Sequence, residues 1–457
     1  EAVFDRALQL GVGGILIYAA NFVADEDEPS LPVRLRRKAS AAGVPVCGGN
    51  SMGFYNYDDN AFVSFDRPPG RPAGGIALIA HSGSAMTYLA NNDARFCFNF
   101  VISSGQETNG TVADYMRFVL SRESTRVIAL FLETVREPKG FVDALELARE
   151  RGVPVVIVKL GRTEQSAAQA LTHSGAIVGD HDAFLAVCRR HGALVVRDMD
   201  EMIATALLFS LNCRPSTTNI SSILDSGGMR ELMLDLADDH GVEFAAINEP
   251  TRDRLAGHLD VGLTAENPLD AMGALGRNSE TTYLECGKAL LDDPATGLLT
   301  VEFEFRDDFS HYPELFRSLE ALHAHGDKPV IAINSLGFTS VQRTAADLCH
   351  RGIPCINGLD LAIRSMRNLI HYAHEMTPPT AIAGRPAPLD QGSVDRWRNE
   401  LRSPGPRSEA VSLELLQDFN LPVVPHLQSS DLDAMIAFAD HQGFPVVLKT
   451  AMPGLLH

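Results

Sequence analysis

Short apolar runs rich in β-branched residues recur along the chain, and amphipathic stretches of ten or more residues separate them. Residues 14–18 (GILIY) read as a strand, residues 33–42 as a basic surface helix and residues 44–47 (VPVC) as the next strand. Strand–helix–strand at this spacing is a βαβ unit, which predicts a parallel sheet. Residues 65–75, with three Pro and three Gly, have the composition of a linker. The alternation resumes with strands at 76–80, 127–132 and 155–158, and breaks at 214–219. It returns with strands at 220–224, 298–303, 329–333 and 354–356. Residues 376–392, rich in Pro, Gly and Ala, read as a second linker. The remainder reads helix, strand (422–424), helix, strand (445–448), and about fifty residues is small for a domain standing alone. The first unit opens on a helix and the last stops after a strand, so the pattern reads as part of a longer enzyme.

Composition narrows the class. The 457 residues are 45% hydrophobic and 21% charged, which excludes wholesale disorder and collagen-like folds. At roughly 150 residues per domain the length suggests about three domains. There are 39 Lys plus Arg against 58 Asp plus Glu, a net charge of −19. Such a surface repels phosphate backbones and anionic lipids, so neither a nucleic acid nor a membrane is expected as partner. A local anion site built from backbone amides at a helix N-terminus is compatible with that charge. The seven Cys are scattered singly with no CxxC, which argues against a disulfide framework or structural zinc and for a cytoplasmic setting. No apolar run approaches the length of a membrane span. No secretory leader is visible, although the sequence starts at Glu1 and not at Met.

Four places carry candidate chemistry. His81, Ser82, Gly83 and Ser84 follow a strand and open a helix, where small residues let backbone N–H groups approach an anion. His173 lies in a loop with Ser174, Gly175 and Ala176, and an imidazole with little steric cover suits nucleophilic catalysis. Glu133 ends the strand at 127–132, where the carboxyl ends of a parallel sheet face the ligand crevice. A carboxylate there fixes the tautomer of a neighbouring imidazole. Lys449 ends the apolar run 445–448, a placement suited to nucleotide phosphates. Taken singly, each has an ordinary explanation: a structural turn, a surface-loop His, a solvated helix-start acid and a charged strand end.

Taken in order and spacing, these segments resemble the ADP-forming (NDP-forming) acyl-CoA synthetases, relatives of succinyl-CoA synthetase. The loop of His173 with the preceding Lys159, Gly161 and Arg162 is the most specific match. The turn containing Asn50 resembles the Gly-Pro-Asn-x-x-Gly turn that closes the CoA-binding domain, with Gly49 in place of Pro. Residues 80–84 resemble the Ser-x-Ser-Gly segment at the phosphate-facing helix, with His81 where Gln or Arg is common. Residues 103–109 are similar to the Gly-Asn loop near the acyl group. Residues 125–133 match the strand whose terminal Glu supports the phosphohistidine. Asp225 to Met229 and Glu266 to Asp270 resemble the Ser-Gly-Gly and Asn-Pro-x-Asp segments of the third domain.

The resemblance implies a multidomain α/β fold. Residues 1–68 would be the C-terminal part of a Rossmann-like CoA-binding domain, and 69–213 a ligase domain carrying the phosphohistidine loop. Residues 214–375 would be a second flavodoxin-like ligase domain, 376–403 a linker and 404–457 the start of an ATP-grasp domain. It implies a ligase that joins a carboxylic acid to CoA with ATP and Mg²⁺, by way of an acyl phosphate. His173 and Glu133 would be catalytic. Ser82, Gly83, Ser84, Asn50, Ser174 and Gly175 would bind phosphate or the acyl group, and Lys449 the nucleotide. A homodimer is expected. The alternatives are a CoA-activating lyase of the same superfamily (for example one acting on dimethylsulfoniopropionate), a regulatory acyl-CoA-binding module and an NAD-dependent oxidoreductase. Retention of His173 argues against the regulatory reading, and the absence of a GxGxxG segment against the oxidoreductase. The acid is not legible; Phe54, Tyr55, Phe96 and Phe98 suit either an apolar acyl pocket or the core.

Overall fold

The computed structural model describes residues 1–21, 29–166, 169, 180–272, 279–309, 313–376, 390–403, 405 and 407–450. The chain divides into two units, Glu1–Thr377 and Pro378–His457. The first holds all three sheets.

At its start β1 (Ile15–Ile17) pairs in parallel with β2 (Val46–Gly48), and the helix Leu31–Ala42 makes the crossover. Leu35 and Ala39 on that helix bury against Phe4 and Val46, a small core of its own. The helix ends because Gly43 takes the left-handed conformation, φ 65°, which a glycine adopts without a Cβ penalty.

The second sheet has seven strands in the order β4-β3-β6-β5-β7-β8-β9. They are β3 (Gly53–Asn56), β4 (Ala61–Ser64), β5 (Ile76–Ala80), β6 (Phe98–Ser103), β7 (Val127–Leu132), β8 (Val155–Lys159) and β9 (Leu194–Val196). From β6 to β9 every pairing is parallel, and every residue of β5 through β8 is buried. Such unbroken apolar runs are what a parallel sheet covered by helices on both faces requires.

The strands β3 and β4 were not anticipated. They pair antiparallel with each other, and β3 pairs with β6. Residues 53–64 therefore extend the second sheet, although the expected boundary at 68 assigns them to the first domain. The hairpin turn is rich in Asp and Asn, and Asn60 sits at φ 51°. Its polar residues mask the short apolar pieces on either side. Tyr55 and Phe98 are buried in the core of this sheet, while Phe54 and Phe96 pack at its margin, so these aromatics serve packing.

The third sheet is wholly parallel, order β11-β10-β12-β13-β14. Its strands are β10 (Ile220–Leu224), β11 (Leu269–Asp270), β12 (Leu298–Glu302), β13 (Val330–Asn334) and β14 (Cys355–Asn357). The helices Met199–Ser210 and Leu359–Met376 pack together and share one apolar cluster with both sheets. Inside that seam Glu201, fully buried, accepts from Arg364 Nη1 (2.8 Å), Arg367 Nη2 (3.2 Å) and Asn368 Nδ2 (3.0 Å). A carboxylate buried with that many donors is compensated, and losing a partner would leave an unpaired charge.

In the second unit the helices Gln391–Glu400, Glu409–Asp418 and Leu432–Gln442 are formed. Trp397 is buried and donates Nε1–H to Asp418 at 2.8 Å. The expected strands at 422–424 and 445–448 are not formed: among the described residues of this unit no ladder exists to receive them, and 445–448 are exposed. An apolar run becomes a strand only by pairing its backbone.

Candidate functional site

The carboxyl ends of β5, β6 and β7 converge because the three strands are neighbours in register: Ala80 pairs with Ser103 on one side and Phe131 on the other. Residues 81–84, 104–109 and 133–136 therefore emerge side by side. Ser82 is the N-cap of the helix Gly83–Ala90 and its Oγ accepts from Ala85 N at 3.3 Å. Ser84 in the first turn is exposed, so the amino end of this helix opens to solvent beside the crevice. Gly83 lies against Met52: a Cβ there would meet Met52 Cγ at 2.3 Å.

At the floor lies a group that sequence reasoning missed. His81 is buried, and its Nδ1 accepts from the backbone N–H of Glu133 at 3.1 Å. That bond fixes the neutral tautomer with the proton on Nε2, which donates to Glu107 Oε1 at 3.1 Å. Oε1 also accepts from Val112 N at 2.6 Å. One imidazole thus ties the ends of three strands together. Oε2 of Glu107 is buried with no hydrogen-bond partner, 3.9 Å from an equally unpartnered Arg136 Nε. The parallel pairing of β5 with β6 was the signal: it places the residues following Ala80 beside those following Ser103.

Glu133 is half-buried at the end of β7, and its carbonyl accepts from Lys159 Nζ at 2.8 Å. Burial pushes the Lys159 ammonium below its ordinary pKa, with Glu133 opposing the shift. Asn50 sits at φ 51° on an exposed turn whose N–H donates to Ala19 O at 2.9 Å. That turn touches the 104–109 loop, where Gln106 N donates to Gly49 O at 2.7 Å. Gly105 is required there: its φ is 59° and a Cβ would meet Gly49 O at 2.2 Å. Asn50, Ser82, Gly83, Ser84 and Glu133 therefore belong to adjoining loops. His173, Ser174 and Gly175 lie outside the described residues. Lys449, in the other unit, is exposed and pairs with Glu409 Oε1 at 2.8 Å.

The third sheet repeats the construction. Asp225 and Ser226 follow β10 and lead into the helix Gly227–His240. Glu302, at the end of β12, is buried and accepts from Ser335 Oγ and from Asp225 N–H, while its Oε2 has no partner. Burial pushes this carboxyl up to about 7; Ser335 opposes the shift and the Asp225 charge adds to it. Asn267 locks β10 to the chain before β11, accepting from Ser222 N and donating to the carbonyls of Ile220 and Ala245.

Residues 73–209 match the succinyl-CoA ligase like flavodoxin domain. Over its whole length the chain is 26% identical to a trans-feruloyl-CoA synthase from an unknown prokaryotic organism. It is 25% identical, over 97% of its length, to an ADP-forming acetate–CoA ligase of Archaeoglobus fulgidus. The chain spans 64% and 63% of those two relatives, just under two thirds. Among solved structures, an acetyl-coenzyme A synthetase of Ca. Korarchaeum cryptofilum in complex with phosphate and ADP superposes with a TM-score of 0.73. It is 21% identical, and the match covers 84% of this chain and 82% of that one, so the fold is shared. Residues 73–209 thus carry the succinyl-CoA ligase like flavodoxin domain, and the chain as a whole is similar to ADP-forming acyl-CoA ligases.

Proposed function

We propose that this chain is the acyl-activating part of an ATP-dependent acid–CoA ligase that releases ADP. The observation that carries the reading is the convergence of the Ser82-capped helix, the 104–109 loop and Glu133 at one crevice. In this reading the residues before β3 contribute to CoA binding, those from β3 to 213 to acyl and phosphoryl chemistry and 214–375 to a second ligase domain. Residues 404–457 open an ATP-grasp domain in which Lys449 reaches the nucleotide.

His173 attacks the γ-phosphorus of ATP, an N–P bond forms and ADP leaves. The substrate carboxylate takes the phosphoryl group from His173 to give an acyl phosphate. The CoA thiolate attacks the acyl carbon and phosphate departs. Ser82, Ser84 and the free N–H groups of their helix hold phosphate oxygens, a preorganised set of donors of the kind that stabilises phosphoryl transfer. Gly83 admits the close approach of Met52 beside the Ser82 cap, and Ser174 and Gly175 bind the phosphoryl group beside His173. The Glu133 carboxylate orients the His173 ring, and Asn50 lies on the CoA side. Mg²⁺ would accompany ATP as MgATP; among the described residues no group of three His, Cys, Asp or Glu is placed to hold a metal ion.

Two further proposals accompany this reading: the enzyme is a homodimer, and it works in the cytoplasm. No helix among the described residues is long and apolar enough to cross a membrane. The test is product analysis. Full-length protein with ATP, Mg²⁺, CoA and a panel of short-chain, hydroxylated and aromatic acids is expected to yield an acyl-CoA and ADP by mass spectrometry. The His173→Ala variant is expected to yield neither. AMP and pyrophosphate as products, or acyl-CoA formation undiminished in the variant, would overturn the reading.

A further inference from the structure

A second cavity lies at the opposite, amino end of the same strands. It has a volume of about 430 Å³, in the range of small-molecule sites. Gly74 and Gly75 before β5, Cys97 before β6, and Ser124 and Arg126 before β7 form one wall. The ends of the helices Met199–Ser210 and Gln342–His350 form the other. The cavity is thus a seam between the seven-stranded and the five-stranded sheets.

Its charge is the reverse of the protein's. The chain carries 19 more acids than Lys and Arg, yet no carboxylate lines this cavity, whereas Arg95, Arg126 and His350 do. Arg95 is buried with a 6% exposed side chain. It donates to Cys355 O and to Asp93 Oδ2, both at 2.9 Å, and its Nε has no partner. Arg126 is exposed, and its guanidinium makes no hydrogen bond or ion pair among the described residues. It nevertheless acts on its surroundings: Arg214 is held below the ordinary arginine pKa by burial first, with the Arg126 charge adding to the effect. The His350 ring meets Cys97 Sγ at 3.8 Å.

The two helices that end here present carbonyls, which would repel an anion if bare. They are capped: Leu207, Leu208 and Phe209 carbonyls accept from the N–H groups of Leu211, Cys213 and Asn212. Leu348 and Cys349 carbonyls accept from those of Arg351, Ile353 and Gly352. The net lining is therefore cationic. A guanidinium fork matches a phosphate edge; Arg126 supplies a whole one, and Arg95, already paired with Asp93, adds its unpartnered Nε.

We infer that this cavity is a second anion site, distinct from the crevice at the carboxyl ends, and that it takes a phosphoryl oxyanion, either free phosphate or a small phosphate monoester. Bound there, the anion would bridge the two sheets through Arg95, Arg126 and His350.

The inference does not rest on the ligase reading, and the experiment separates them. Full-chain protein at fixed ionic strength is titrated calorimetrically with inorganic phosphate and, separately, with glucose 6-phosphate. Arg126→Ala, His350→Ala and the double variant are titrated alongside; both residues are exposed, so the fold is expected to survive and is checked by circular dichroism. The wild type is expected to show saturable binding that weakens at least tenfold in the double variant. Tighter binding of glucose 6-phosphate than of phosphate assigns the site to monoesters; tighter binding of phosphate assigns it to the free ion. Isotherms that are unchanged in the double variant, or the absence of saturable binding in the wild type, would overturn the inference. Acyl-CoA formation reports on the other site and is read independently.

Discussion

The seven-stranded and the five-stranded sheet carry the same construction at the carboxyl ends of their parallel strands, and they fill it differently. In both, a central strand ends, a Ser-Gly turn follows and a helix begins: Ser82 and Gly83 after β5, Ser226 and Gly227 after β10. In both, a buried carboxyl from a neighbouring element stands underneath with one oxygen unpartnered: Glu107 in the first, Glu302 in the second. The surroundings separate them. Glu107 receives the His81 imidazole, the Val112 amide and a guanidinium 3.9 Å away. Glu302 receives a hydroxyl and one amide, with the Asp225 carboxylate for company, and is pushed up to about 7. One architecture thus supports one carboxyl held among donors and another that burial pushes up to about 7.

The largest expected effect comes from breaking the first arrangement. Glu107→Ala leaves the His81 Nε2–H and the Val112 N–H buried without acceptors, a cost of about 4 kcal/mol for two orphaned donors. Native-state hydrogen exchange of the β5 and β7 amides measures it. Protection unchanged there would mean that the imidazole does not join the strand ends.

The third sheet is expected to respond to pH in the opposite sense from an ion-paired acid. The folded-state pKa of Glu302 lies above its unfolded value of 4.5. The folded protein therefore holds a proton that the unfolded chain has released. Stability is fully present below about 4.5 and falls as pH rises through about 7. The loss amounts to about 3 kcal/mol at about 1.36 kcal/mol per unit. Glu302→Gln keeps an acceptor for Ser335 and Asp225 and removes the titration. Urea melts of the variant are expected to match the wild type near pH 5 and exceed it near pH 8. Equal pH slopes for the two proteins would contradict the assignment.

Ser82→Ala gives the smallest effect. Loss of the cap costs about 1 kcal/mol of local stability. Ser226, whose side chain makes no capping bond, is the control, and Ser226→Ala is expected to leave its helix nearly unchanged. Equal losses at the two serines, read by hydrogen exchange in each helix, would erase the distinction between the turns.

Much of this was legible in the sequence because each central strand is a continuous apolar run. Ile76–Ala80, Val127–Leu132 and Ile220–Leu224 fall where the pattern puts them. The β3–β4 hairpin was not legible, since its strands are four residues long and its turn is polar. The strands expected at 422–424 and 445–448 show the converse: an apolar run without a partner stays unpaired. At the site, Ser82 and Glu133 were found from their position at strand ends. His81 was noted only as an unusual residue in its turn. Its role depends on Glu107, 26 positions away, and on the N–H of Glu133, which donates to its Nδ1; pairing across a sheet is not written in local spacing.

In the proposed mechanism His173 carries a phosphoryl group from ATP to the acid. Full-length protein is incubated with γ-labelled ATP and Mg²⁺, without acid or CoA, and acid-labile, base-stable label on the protein is measured beside a His173→Ala control. Label is expected on the wild type and none on the variant. An unlabelled wild type, with ATP binding confirmed, or label that persists in the variant, would contradict it.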